Sequence, residues 1–254
     1  MVAEDRGTEL LAVIWPFTAL AIIVVTLKLF SRAHILHSVG WDDGLILFSL
    51  LLVITCTCIF TYDVKVLHFG RHAWDIDPAM LPETLRINQV GHPFGIMAYS
   101  FPNIAIAIVL HRLLVPNSLR SYALFTLTIL QVIIAAISCV LLFTQCTPTE
   151  FLWNPMKYIL GNLPYSCLPE GLVSRYSYFV GAYTALVDIV LAVVPIRAMW
   201  NLKLATRTKV GLFFLMGCSL FAAICSIVKT VHLDSLAELD DFTHATVDLT
   251  IWAM

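Results

Sequence analysis

The chain has 254 residues, of which 59% are hydrophobic and only 13% are charged. Soluble domains carry about 25% charged residues, so this composition excludes a water-soluble globular protein. The formal net charge of -2 provides no basic field, which excludes nucleic acid as a partner. Seven cysteines are too few to replace a hydrophobic core with disulfides in a chain of this length.

Long stretches with few charges mark the membrane-spanning helices, because a helix needs about 20 mostly apolar residues to cross the hydrocarbon core. The predicted spans cover residues 10–30, 43–62, 87–111, 121–145, 175–197 and 209–230, with a partial span at 243–254. Only six residues follow Asp248, so we expect the seventh helix to be truncated. We predict an all-α fold: a polytopic transmembrane helix bundle that forms one domain over residues 1–254, with the lipid bilayer as its first partner.

The charges alternate from one connection to the next, and this pattern predicts the orientation. One group of connections is short and strongly basic, whereas the other group is longer and acidic. Because short basic loops stay in the cytoplasm, the amino terminus is expected outside. The basic group holds Lys28, Arg32, Arg112, Arg120, Arg197, Lys203, Arg207 and Lys209, opposed by Asp42 and Asp43.

The second span begins with an acidic pair, Asp42 and Asp43, preceded by Trp41. Acidic side chains at a helix amino terminus accept free backbone N–H groups and meet the positive end of the helix dipole. The pair is therefore predicted to be a helix cap, with a signalling contact as the less favoured alternative.

Three polar residues are predicted to lie near the middle of the membrane: Asn103, Gln131 and Asp188. Each lies nine to eleven residues from a basic residue at the inner end of its span, roughly 14 to 17 Å deep at about 1.5 Å per residue. An acidic group in hydrocarbon is costly unless it faces a partner or a cavity. The three residues would form one polar layer, which is either a ligand site or a set of hydrogen bonds that fixes helix packing.

The cysteines divide by their positions. Cys146 ends the fourth span and Cys167 lies in the following outer loop, where an oxidising compartment favours a disulfide between them. Three further cysteines lie within apolar spans and are predicted to be packing residues, namely Cys139, Cys218 and Cys225.

The outer loop after the second span contains His68 and His72, followed by Asp75 and Asp77. Imidazole and carboxylate are suitable metal ligands, but this spacing matches no dedicated zinc motif. An ordinary surface loop is therefore favoured, and no metal site is predicted. No phosphate loop, nucleophile elbow or HExxH helix is present either, so no catalytic residue is predicted and enzymatic activity is left open.

Several of these features together resemble the fungal rhodopsin-like integral membrane family from about residue 12 to residue 254. The residues that carry the resemblance are Trp41 to Gly44, Gly70, Arg71, His72, Trp74, Cys146, Thr147, Pro148, Trp153, Cys167, Asp188, Pro195, Trp200, Lys209 and Gly217. The resemblance implies a seven-helix membrane protein, grouped with receptor-like proteins and with membrane proteins of secondary-metabolite gene clusters.

This chain also departs from the family pattern at two places. Many relatives carry a Lys-x-Ser-Ile pattern where this chain has Asn103 to Ile106, and an arginine where it has Lys229. A ligand role tied to those positions does not carry over. The lysine that attaches retinal in rhodopsins would lie in the seventh helix, so no retinal and no other cofactor is predicted.

Two functions compete at this point, and a transporter is a third, less favoured alternative because the sequence has no paired broken helices or repeated halves. The favoured one is a receptor-like sensor in the plasma membrane, in which helices kinked at Pro16, Pro102 and Pro195 relay binding of an extracellular small molecule to a cytoplasmic signalling protein. The alternative is a membrane-embedded enzyme or accessory protein of a secondary-metabolite pathway, with Asp188 as an acid or base.

Overall fold

The computed structural model describes residues 6–35, 37, 40–71, 77–113 and 118–201, together with positions 217 and 224. Within these residues, five helices are long and apolar enough to cross a membrane. The predicted all-α transmembrane class is confirmed. The sixth predicted span, apart from positions 217 and 224, and the partial seventh lie outside the described residues.

The helices follow one another in an up-and-down order. Their bounds are α1 Gly7–Phe30, continued by a π-helical turn at Ser31–Ile35, α2 Trp41–Leu67, α3 Leu81–Leu113, α4 Ser118–Thr144, the short α5 Pro155–Leu160 and α6 Glu170–Asn201. Between α4 and α6 lie strand β1 Cys146–Thr147, a 3-10 turn at Thr149–Leu152 and strand β2 Ser166–Cys167. Helices α1 and α3 continue through their internal prolines, which are Pro16, Pro93 and Pro102.

Several helices extend beyond the predicted spans, among them α2 and α3. Helix α2 continues five residues past residue 62, and α3 begins at Leu81, six residues before residue 87. The charge-free criterion stopped at Asp63 and Arg86, whereas the backbone hydrogen bonds of a helix continue through charged residues. The extension places Asp63 inside α2, where it is fully buried.

Polar side chains hold neighbouring helices together, as expected where lipid tails are as apolar as the helix surfaces. Between α1 and α2, the hydroxyls of Thr18 and Thr57 share a hydrogen bond of 3.0 Å. Between α2 and α3, the Ser49 hydroxyl donates to the Ala98 carbonyl at 2.6 Å. Similar bonds join α3 to α4 through Gln89, and α4 to α6 through Tyr176 and Tyr183.

The bundle has two distinct ends. At the end called here the disulfide end, α1 begins, α2 finishes and the loop with Cys146 and Cys167 connects α4 to α6. At the opposite end, called here the charge-cluster end, α1 finishes and α2 begins. Large apolar side chains such as Leu27 and Phe30 remain exposed on the outer surface, which suits contact with lipid.

Candidate functional site

The three predicted mid-membrane residues meet in one hydrogen-bonded layer. The amide nitrogen of Asn103, on α3, donates to Oε1 of Gln131 on α4 and to Oδ1 of Asp188 on α6, both at 3.0 Å. All three side chains are buried, with exposed fractions of 8% for Asn103, 2% for Gln131 and 6% for Asp188. Asn103 therefore bridges three helices.

The layer contains one donor that the described residues leave unused. The amide nitrogen of Gln131 is buried and has no hydrogen-bond partner in the described part of the chain. Within the described part of the chain, Asp188 also forms no ion pair, so its carboxyl group is compensated by the neutral Asn103 amide. A buried amide N–H without an acceptor is uncommon and calls for an explanation, such as a bound polar group.

The surroundings of the layer differ on its two sides. Toward the charge-cluster end, a buried apolar cluster from three helices includes Leu110, Leu124 and Leu191. Toward the disulfide end, the Tyr176 hydroxyl of α6 donates to the main-chain carbonyl of Ile134 on α4 at 2.9 Å. The disulfide side therefore holds a further polar contact between α4 and α6.

The acidic pair at the start of α2 lies in a buried cluster of charges, called here the charge cluster. Arg32 contacts both Asp42 and Asp43, and its bond to Asp43 measures 3.0 Å. Arg112 of α3 approaches Asp42 at 3.2 Å, and Lys28 of α1 lies 3.9 Å from Asp43. The cluster therefore ties α1, α2 and α3 together at one end of the bundle.

The two carboxylates of this pair have different roles. Asp43, at the third helical position, accepts the backbone N–H of Gly40 at 3.1 Å, while the Asp43 N–H donates to the Gly40 carbonyl at 3.0 Å. This exchange is a capping arrangement in which Gly40 occupies the cap position. Asp42 instead faces Arg32 and Arg112.

Sequence reasoning did not assign these basic partners. Lys28, Arg32 and Arg112 were used only to predict the orientation of the helices. The available signal was that Asp42 and Asp43 are the only acidic residues in the basic group of connections. Because buried carboxylates need compensating charge, that isolation pointed to ion pairs.

The loop at the disulfide end is held by one covalent bond and a small ladder. Cys146 and Cys167 form a disulfide and also pair across the antiparallel strands β1 and β2. Glu150 accepts hydrogen bonds from the Lys157 ammonium at 2.7 Å and the Tyr158 hydroxyl at 2.8 Å. Both hydrogen bonds lower the pKa of Glu150, and the one from Lys157 has the larger effect.

The remaining sequence candidates lie apart from the polar layer or outside the described residues. Cys139 is a free, partly exposed thiol, and His68 ends α2 with a left-handed backbone at φ 57°. Within the described ranges, no three histidine, cysteine or acidic side chains are grouped as metal ligands. The sequence candidates outside those ranges include His72, Trp74, Asp75, Lys203, Arg207, Lys209, Cys218, Cys225 and Lys229.

Comparison with known proteins adds a family and one distant relative. A sequence model of the fungal rhodopsin domain matches residues 27–254. "Fugralins biosynthesis cluster protein 2" of Gibberella zeae is 24% identical over 191 residues, which are 72% of this chain and 44% of that protein. The chain thus spans less than half the length of this relative. No solved structure matches the chain significantly.

Proposed function

The chain belongs to the fungal rhodopsin domain family, and from that premise we propose that this multi-pass membrane protein is a receptor-like sensor of an extracellular small molecule. The match covers most of the chain and agrees with the resemblance seen in the sequence, which is confirmed. Because one fold can host many functions, the sensor is supported here by the polar layer and its neighbours, not by the fold alone.

The observation that carries the proposal is the unused donor of Gln131 within a layer that joins three helices. A ligand with a carbonyl or hydroxyl oxygen would accept a hydrogen bond from this N–H. Because the surroundings exclude water, that hydrogen bond would be stronger than the same bond in water. Because Asn103 holds both Gln131 and Asp188, a ligand that displaces either bond changes how α3 packs against α4 and α6.

Helix α3 supplies a direct route from this layer to the opposite end of the bundle. Arg112 follows Asn103 by nine residues on the same helix, about 14 Å along its axis. Its side chain is 52% exposed while it pairs with the fully buried Asp42. A small shift of α3 would therefore loosen the ion pair between Arg112 and Asp42. The formed and the loosened ion pair are the two states that a sensor needs.

The proposed orientation puts the disulfide end outside the cell and the charge cluster at the cytoplasmic face, in the plasma membrane. The basic connections support this orientation through the positive-inside rule. A cytoplasmic signalling protein would then bind near the charge cluster, and the small molecule would enter from the disulfide end.

The test uses a fungal strain that lacks the gene and is complemented with wild type, Asp188→Asn, Gln131→Leu or Ile189→Leu. Transcript profiles are compared after exposure to fractionated small-molecule extracts, with surface delivery checked by microscopy. A response lost in Asp188→Asn and Gln131→Leu but kept in Ile189→Leu, a neighbour on the exposed face of α6, supports the sensor. An identical response in all four strains, or none in any surface-delivered protein, refutes it.

A second candidate is a membrane-embedded enzyme or accessory protein of a secondary-metabolite pathway. The name of the Gibberella zeae relative favours it, and Asp188 is the group that would exchange a proton with an apolar intermediate. In the same strains, Asp188→Asn should then accumulate a defined precursor that Ile189→Leu does not. An unchanged metabolite profile overturns this candidate.

A further inference from the structure

A second buried acidic side chain, Asp63, lies near the disulfide end, far from both the polar layer and the charge cluster. It belongs to the last turns of α2 and is fully buried, with an exposed fraction of 0%. Among the described residues, neither of its carboxylate oxygens has a partner within hydrogen-bond geometry. An ionised carboxylate in such surroundings is strongly unfavourable unless a positive charge accompanies it.

The residue opposite Asp63 is also left incomplete. Asn88 of α3 is 4% exposed, and its side chain faces the Asp63 carboxyl group. Its amide nitrogen faces the carboxylate as a donor but lies outside hydrogen-bond geometry, and it meets no other partner in the described part of the chain. Because this amide is neutral, it does not compensate the charge of a buried, ionised carboxylate.

The neighbouring polar groups are already occupied. The Thr84 hydroxyl donates to the carbonyls of Leu67 and Met80, at 3.2 and 3.1 Å. The Phe69 N–H donates to the main-chain carbonyl of Asp63 at 3.2 Å and not to its side chain. Among the described residues, the Asp63 carboxylate therefore faces a neutral amide and no positive charge, and an added cation would supply that charge.

We propose that Asp63 and Asn88 form a binding site for one small monovalent cation, either a proton or a sodium ion. A proton on Asp63 makes the carboxyl a donor, and the Asn88 amide, turned so that its oxygen faces Asp63, would accept that hydrogen bond. A sodium ion would bind the carboxylate together with that same oxygen, since hard cations prefer oxygen ligands. The site goes beyond the proposed function and makes the packing of α2 against α3 depend on its occupant.

Other titratable groups lie on the elements packed against Asp63 and have to be controlled. Among the described residues, none of these groups forms an ion pair with Asp63. These groups are Lys65 on α2, Arg6 and Glu9 on α1, His68, Arg71 and Asp77 in the connection, and Glu83, Arg86 and His92 on α3. The His92 ring lies 2.9 Å from the main-chain carbonyl of Asn88, so His92 is the residue whose own titration has to be separated from that of Asp63.

The experiment measures the Tm of the protein in lipid nanodiscs from mildly acidic to mildly alkaline pH, with sodium or N-methylglucamine as the only cation. The folded protein holds a cation that the exposed, ionised Asp63 of the unfolded chain does not. Its Tm should therefore fall by several degrees as pH rises without sodium. Asp63→Asn should remove this dependence, whereas His92→Gln should keep it.

The two occupants give different results. If added sodium restores the Tm at alkaline pH, and Asn88→Leu abolishes this rescue, the occupant is sodium. If sodium has no effect, and Asp63→Asn removes an infrared carbonyl band of a protonated carboxyl group, the occupant is a proton. The proposal is overturned if the wild-type Tm ignores both pH and sodium, a result that needs no variant, or if Asp63→Asn and wild type respond alike.

Discussion

Replacement of Gly70 by alanine should destabilise the disulfide end of the bundle. Gly70 has a φ of 98°, a conformation that residues with a Cβ rarely adopt. A Cβ at this position would lie 2.5 Å from the backbone nitrogen of Gly7 and 2.8 Å from its Cα. The Gly70 carbonyl also accepts the Arg6 N–H at 3.2 Å, so relief of the clash separates the start of α1 from the turn after α2.

The expected magnitude follows from two contributions. The strained backbone costs about 1–3 kcal/mol, and the lost hydrogen bond costs about 0.5–1.5 kcal/mol. Their sum predicts a loss of about 1.5–4.5 kcal/mol in the free energy of unfolding. The matched control is Gly44→Ala in α2, where an added Cβ meets nothing within 4 Å and alanine is the better helix former.

The assay follows thermal unfolding in nanodiscs with a dye that fluoresces when it reacts with exposed thiols. Cys56 is a free thiol in α2 and is almost fully buried, so it reports the opening of the α2–α3 interface. Gly70→Ala should melt clearly below wild type, and Gly44→Ala at or above it. Equal Tm values for Gly70→Ala and wild type would show that the packing of α1 does not depend on the close approach of Gly70 to Gly7.

Three further predictions concern charge and covalent bonds. Arg32→Met should lower the free energy of unfolding by about 3–5 kcal/mol in chemical denaturation, because Asp42 and Asp43 remain buried without their shared partner. A membrane-impermeant reductant should open the loop disulfide and speed proteolysis of the loop, with no effect if the loop faces the cytoplasm. The pKa of Glu150 is lowered in the folded loop, so its bond to Lys157 stabilises the loop above the ordinary glutamate pKa and is lost as pH falls. The protection of the loop amides from hydrogen exchange, corrected for the intrinsic rate at each pH, should therefore fall in acid for wild type but not for Glu150→Gln.

The sequence was most informative where geometry follows from distance along a helix. Asn103, Gln131 and Asp188 were placed at one depth by counting residues at a fixed rise, and they are hydrogen-bonded in the structure. The counting needed no knowledge of which helices are neighbours. It could not identify Asn103 as the central member that bonds to both others.

The sequence was least informative where partners come from different helices. Nothing in the spacing shows that Arg32 and Arg112 both reach Asp42, because that depends on how α1 and α3 pack against α2. Asp63 was missed for another reason. The rule that ends a span at its first charged residue placed it in the outer loop, whereas the helix continues to Leu67 and buries it.

The charge cluster need not act as one rigid unit in the proposed sensor. Arg32 is only 20% exposed and binds both carboxylates, so its contacts are costly to break and hold α1 to α2. Arg112 is half-exposed and contacts Asp42 alone, so water can replace that contact at small cost. If α3 relays events from the polar layer, Arg112→Ala should alter signalling while leaving Tm nearly unchanged, whereas Arg32→Met should lower Tm. The opposite pattern would mean that α3 is the fixed element and that the relay runs through α1.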